Sequence, residues 1–202
     1  MIGITSCGGY IPRLRLSRKV IFQNMGWYSP AIIGAAQGEK SVANWDEDAL
    51  TMAVAAAYAC ATGKDRKTID GLYLASTTLP FSDRLNSDIV ATALNANGEG
   101  IACADFTGSL KSGSTAVISA IEAIQSGSKS NVMVVASDQR RAKMVTMYEM
   151  FLGDGAAALL LGRDDVIAEF KVSHEPEGAS SPGSEHRRYD EGADRCGSAG
   201  SI

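Results

Sequence analysis

The run Asn131–Ser137 (NVMVVAS) is apolar at almost every position yet only seven residues long, which suits a strand covered on both faces far better than a helix. Strands covered on both faces belong to layered α/β sheets, so the rest of the chain has to supply helices for each side. It does so in alternation. Ile2–Ile11 reads as a strand closed by Pro12, Gly71–Ser76 (GLYLAS) as a buried strand and Ile101–Phe106 as a third. Gly153-Asp154-Gly155 turns into a strand over Ala156–Leu161, with which Val166–Val172 can pair as a hairpin. Asn44 and Glu47 have capping-box spacing, predicting a helix with Leu50, Val54 and Tyr58 on one face that stops at Gly63. Ser82 is placed to cap a helix repeating Leu85, Ile89 and Ala93 up to Asn97-Gly98, and Ser109 or Ser112 opens one through Gln125. Residues 13–43 read as irregular, and 138–151 as a loop or short helix. The expected fold is α/β, a mixed sheet with a buried central helix.

The chain divides near residue 173. The 30 residues from Ser173 hold five Gly, six Ser and two Pro, with Tyr189 and Ile202 as the only large apolar side chains. So little apolar surface cannot offset ordering entropy, which predicts a body over 1–172 and a disordered tail over 173–202. The 202 residues are 45% hydrophobic, enough for a core, and 19 basic against 23 acidic residues exclude a dedicated nucleic-acid binder. No apolar run reaches the roughly 18–20 residues of a membrane span, and no signal peptide is visible. Cys7, Cys60, Cys103 and Cys196 are far apart with no C-x-x-C pair, pointing to reduced thiols in a cytoplasmic protein and to no metal site. Both histidines, His174 and His186, follow the body, so no Ser-His-Asp or Cys-His site can be assembled within 1–172.

The helix after Phe106 begins with small residues (Gly108, Ser109, Ser112, Gly113, Ser114, Thr115) and continues apolar on most sides, which predicts burial. A buried helix N-terminus offers free N–H groups to a nucleophile or an anion. Gly108–Thr115 half-matches a P-loop, but Ser114 stands where that motif needs Lys; a phosphate-binding α/β domain stays open as an alternative. Cys103, between Ala102 and Ala104, reads as a buried structural thiol. Arg13, Arg15, Arg18 and Lys19 are either a phosphate-receiving cluster or a solvated surface.

Taken in order, these segments resemble the N-terminal half of the thiolase-like superfamily, nearest to 3-hydroxy-3-methylglutaryl-CoA synthases and the ketoacyl synthase III type. The resemblance rests on MIGITSCGGYIPRLRL, GEKSVANWDEDALTMAV, YLASTTLPFSDRLNSDIV, the Gly/Ser-rich helix, VMVVASD and FLGDGAAALLLG. It implies an acyl-CoA acyltransferase that forms carbon–carbon bonds, with a coenzyme A thioester as substrate and no covalently bound cofactor. In that family a cysteine at the start of the buried helix takes the acyl group, a Glu assists in the synthases, and a second half adds His and Asn. The resemblance puts Leu110 at the cysteine position and Thr77 at the Glu position. It makes Thr77, Ser109, Leu110, Ser112, Gly113, Asp138, Gly153 and Asp154 pocket candidates, and Arg13, Arg15, Arg18 and Lys19 candidates for the CoA phosphates. A half-fold of this kind implies a truncated product or one component of an assembly: a homodimer, or a hetero-oligomer with a thiolase-like or second-half subunit. A non-catalytic acyl-CoA-binding partner subunit is the alternative.

Overall fold

In the computed structural model, which describes residues 1–96 and 100–171, the chain runs β1 (Gly3–Tyr10), β2 (Leu14–Ser17), α1 (Arg18–Met25), β3 (Glu39–Val42) and α2 (Ala49–Cys60). It continues β4 (Gly71–Ala75), α3 (Asn86–Ala93), β5 (Ala102–Phe106), α4 (Ser112–Gln125), β6 (Val132–Asp138), α5 (Met147–Phe151), β7 (Gly155–Gly162) and β8 (Ala168–Glu169). Six strands form one mixed sheet in the order β5-β4-β6-β7-β1-β8, and β2 pairs with β3 in a separate ribbon. β4 is parallel to β5 and β6, whereas β7 is antiparallel to β6 and β1. The tail expected over 173–202, with Val172 and the Asn97-Gly98 stop, lies outside the described residues.

Strand alternation sorts the core into two layers. Met133 and Val135 of β6 join Leu72, Leu74, Ala158 and Leu160 against the alanines of α2 and against Val90, Ala91 and Leu94 near α3. Their neighbours Val132 and Val134 face the other way, with Ala75 and Leu161, against Ala116, Ala120 and Ile124 of α4. The layers are therefore α2/α3, sheet, α4. Alanine lets α2 lie very close to β1: a Cβ on Gly8 would come within 2.2 Å of the Cys60 nitrogen. Ile21, Ile32, Ala35 and Met150 make a smaller core under the β2–β3 ribbon.

Several expectations are corrected. Residues 13–43 are ordered as β2, α1, a 3-10 turn at Pro30–Ala35, and β3. The first long helix is capped by Asp48, which accepts from Thr51 N (2.7 Å) while Thr51 Oγ1 accepts from Asp48 N (2.8 Å). Asn44 N does donate to Glu47 Oε2 (2.7 Å), but Glu47 also takes the Tyr10 hydroxyl, so this pair fastens the end of β1. The Tyr10 phenol is accordingly raised, chiefly by Glu47.

α3 starts at Asn86 without Ser82, and its cap arrives from another strand. Asp105 on β5 accepts from Asn86 N (2.8 Å), Ser87 N (2.8 Å) and Asn86 Nδ2 (2.9 Å). The later start turns Val90 and Ala91 inward and leaves Leu85 43% exposed. Ala168–Glu169 pairs with β1, because both edges of β7 are already taken by β6 and β1. Finally, α4 buries one face only, through Ser112, Ala116, Ala120 and Ile124, and Ile118 is 55% exposed. A helix lying on a sheet needs a further layer to be covered all round.

Two stability outcomes follow from these contacts. Gly8→Ala is expected to cost about 2 kcal/mol or more in chemical denaturation, because the new methyl meets the backbone of α2 rather than a movable side chain. Asp105→Ala is expected to cost about 1–3 kcal/mol by leaving buried donors unpaired. Burial pushes the Asp105 carboxyl up, but hydrogen bonds from Ser87 and Asn86 outweigh it and hold it below its ordinary 3.8. Its contribution is thus complete above that ordinary value and is lost as pH falls through the lower folded one. The gap between wild type and Asp105→Ala should shrink below about pH 4; a gap that persists unchanged refutes the capping role.

Candidate functional site

Where the parallel strands β4 and β6 end, α4 begins, and the space between them is a cavity of about 300 Å³. Ends of parallel strands are the usual ligand edge of open α/β sheets. Asp138 closes β6 there. Its Oδ1 accepts from Thr77 N (2.7 Å), Thr77 Oγ1 (3.0 Å), Ser76 Oγ (3.1 Å) and Thr78 Oγ1 (3.2 Å). Four donors on one oxygen bind β4 to β6 and hold the carboxylate at the cavity rim.

The opposite wall is the first turn of α4. Ser112 Oγ donates to the Ser109 carbonyl (2.6 Å), and Ser109 Oγ accepts from Lys111 N (3.1 Å). No side chain caps the helix, and the N–H groups of Gly113 and Ser114 find no acceptor among the described residues. These donors and the positive end of the helix dipole are available to a ligand. Leu110 stands just ahead of them, 77% exposed.

Of the sequence candidates, Thr77, Ser109, Leu110, Ser112, Gly113 and Asp138 line this one cavity. Gly153 and Asp154 do not. Asp154 accepts from Ala43 N (2.8 Å) and Ser41 Oγ donates to its carbonyl (2.6 Å), so the Gly-Asp-Gly turn fastens β3 to the start of β7. The basic cluster is dispersed and none of it lines the cavity. Arg15 donates to the carbonyls of Pro12 and Leu14, and Arg18 to those of Met150 (2.7 Å) and Gln37 (3.0 Å). Arg13 and Lys19 are exposed. Cys103 is half-buried on β5, away from the cavity, its thiol pushed up to about 11 by burial and then by Asp88 and Asp105. Among the described residues no cluster of His, Cys, Asp and Glu is placed to hold a metal ion, and no helix is long and apolar enough to cross a membrane.

Three polar lining residues were not singled out by sequence reasoning: Ser76, Ser137 and Arg140. The signal for the first was present as three successive hydroxyls, Ser76-Thr77-Thr78, at the end of an apolar strand. Nothing in the sequence marks Arg140 apart from other surface cations.

No protein-family profile matches the sequence. Individual relatives do. The chain is 31% identical to hydroxymethylglutaryl-CoA synthase of Pyrobaculum aerophilum over 199 residues, covering 95% of this chain and 57% of that protein. It is 35% identical to hydroxymethylglutaryl-CoA synthase of Methanosarcina acetivorans over 167 residues, 81% of this chain and 48% of that one. The chain thus spans about half the length of the curated relatives it matches. Among solved structures, a priming β-ketosynthase of the R1128 polyketide pathway superposes with a TM-score of 0.70 at 24% identity, over 82% of this chain and 51% of that one. An HMG-CoA synthase complexed with CoA gives a TM-score of 0.70 at 23% identity, over 81% and 42%. In fold the chain matches these thiolase-like structures, and in sequence it is similar to hydroxymethylglutaryl-CoA synthases over about half of their length.

Proposed function

We propose that the chain is a CoA-thioester-binding member of the acyl-CoA condensing enzymes, of the hydroxymethylglutaryl-CoA synthase type, and does not itself capture the acyl group covalently. Leu110 carries this reading. It lies at the start of α4, where the resemblance expects the cysteine, and its side chain faces solvent at the cavity. Acyl capture needs a thiolate that attacks the thioester carbonyl while CoA leaves, and an alkyl side chain supplies no such electron pair. The neighbouring hydroxyls do not replace it. Those of Ser109 and Ser112 are bonded to backbone, and the described residues contain no imidazole to deprotonate them. What remains is binding: unpaired N–H groups at α4, able to polarise a thioester carbonyl, facing the Asp138 carboxylate. Of the four basic candidates for the CoA phosphates, Arg13 and Lys19 are exposed, and their side chains make no hydrogen bond among the described residues.

A second reading, a non-catalytic partner subunit in a cytoplasmic assembly, is favoured by the open face of α4. Val117, Ile118, Ile121, Val134, Leu159 and Phe170 line a trough of about 480 Å³ beside that helix. Continuous apolar surface of this kind marks an interface. Its occupant in this reading is a thiolase-like or second-half subunit that brings the nucleophile and imidazole the described residues do not hold.

Incubated with acetyl-CoA, the protein should gain no acyl mass at Ser109, Ser112 or Cys103 in peptide-mapped mass spectrometry. Leu110→Cys should create a thiol whose pKa lies about one unit below that of free cysteine, because the helix N-terminus favours the thiolate. Its alkylation rate against pH, compared with exposed Cys7, reads this out. Acylation of the unaltered chain defeats the non-covalent reading, and a Leu110→Cys thiol no faster than Cys7 defeats the placement of the site. Light scattering at micromolar concentration should find an associated species. A monomer that binds no hydrophobic dye argues against the partner-subunit reading.

A further inference from the structure

Next to the Leu110 cavity is a second one, of about 290 Å³, whose wall includes Lys40, Arg140, Arg141, Glu149 and Asp154. Its two arginines are unpaired among the described residues. Among the described residues the one ion pair is Lys64–Asp165, far along the chain from this wall. Lys40 Nζ donates once, to the Glu149 carbonyl (2.7 Å), and neither guanidinium forms a hydrogen bond or ion pair with the described residues. The two carboxylates in the wall are turned to backbone instead. Glu149 Oε2 accepts from Val145 N (2.5 Å), and Asp154 Oδ2 from Ala43 N (2.8 Å). Arg140 is half-buried, and a half-buried charge without a partner is unfavourable unless something fills the gap.

The segment that presents these arginines is also strained. Val145 adopts φ +67°, a left-handed conformation that a β-branched residue resists, and its N–H is held by Glu149. Strain of this sort persists where the surroundings over-determine it, and it concentrates at ligand clamps. A guanidinium matches the oxygens of a phosphate or carboxylate through paired N–H donors, and here two line one cavity with a lysine that adds a point charge. The volume, about 290 Å³ and just below the roughly 300–1,000 Å³ of small-molecule pockets, suits a compact anion rather than a nucleotide.

We propose that this cavity is an oxyanion-binding site, in which Arg140, Arg141 and Lys40 hold the phosphate or carboxylate group of a small ligand. The inference stands on the two unpaired arginines and is independent of the CoA reading. Arg140 also lines the Leu110 cavity, so a bound anion would sit at the border of the two.

Titration calorimetry of the full chain at low ionic strength tests the site, with inorganic phosphate in one series and succinate in the other. At least one probe should bind saturably to one site, and which one does so identifies the preferred oxyanion. Arg140→Gln and Arg141→Gln should each weaken that binding at least tenfold, while Lys67→Gln, a surface cation elsewhere, should not change it. Arg141 is exposed, so its variant tests the site without disturbing the core. Binding of neither probe, equal loss in Lys67→Gln, or arginine variants that bind as well as wild type would each overturn the proposal.

Discussion

Asp138 gathers four donors from Ser76, Thr77 and Thr78 onto one carboxylate oxygen, and this convergence locks together the ends of β4 and β6 where α4 starts. Hydrogen bonds to an ionised acceptor are about twice as strong as neutral ones, and here they act between adjacent strands rather than within one. The parallel pairing in register from Gly71–Val132 to Ala75–Ala136 delivers the donors and acceptor to the same level. The sheet order, the position of α4 and the cavity at its N-terminus all depend on that pair of strands. Asp105 repeats the device one strand further out, capping α3 from β5. Loops above this sheet are thus held by carboxylates at strand ends, which lets them be polar and still fixed.

The parts of the fold that were legible in the sequence are those whose signal is local. β4 and β6 announce themselves as short apolar runs because most of each is covered on both faces, and β7 does so although Ala157 and Leu159 are open on the α4 side. The missed or shifted parts depend on residues distant in sequence. The cap of α3 sits on β5, so Ser82 offered a plausible start that the chain does not use. Asn44–Glu47 and Asp48–Thr51 have the same spacing, but Glu47 is shared with Tyr10 at the end of β1 while Asp48–Thr51 forms the cap. The last strand pairs with β1 because β7 has no free edge, a fact of sheet order that periodicity cannot contain. The site divides in the same manner. Thr77, Leu110 and Asp138 are readable from segment order, but Ser76 and Arg140 enter through side-chain geometry in a turn and a loop.

α4 shows why an apolar pattern can predict more burial than a chain provides. Val117 and Ile121 pack only partly against the sheet and Ile118 is exposed, and together they line an open trough with Val134, Leu159 and Phe170. The sheet supplies one layer of cover, and the pattern was written for two. An apolar flank that solvent can reach is unfavourable by about 25 cal/mol for each Å² left open, so covering even part of this trough is a real driving force for association. That is the physical basis for treating this face as an interface rather than as ordinary surface.

Position 110 carries almost no structural obligation, and this gives its identity chemical meaning. Its side chain is 77% exposed, whereas Ser112, two residues on, is buried and ties the first turn back to Ser109. The turn is therefore built without Leu110. A leucine at such a site gains little from packing, and a cysteine in its place would lose little, since both are accommodated by solvent. Fold stability does not select between them; what differs is whether the helix N-terminus has a thiolate to stabilise. The unpaired N–H groups of Gly113 and Ser114 are the same in either case. In this chain Gly113 lines the same cavity as the Leu110 alkyl group and the Asp138 carboxylate, so the donors at the helix start meet no nucleophilic side chain at position 110.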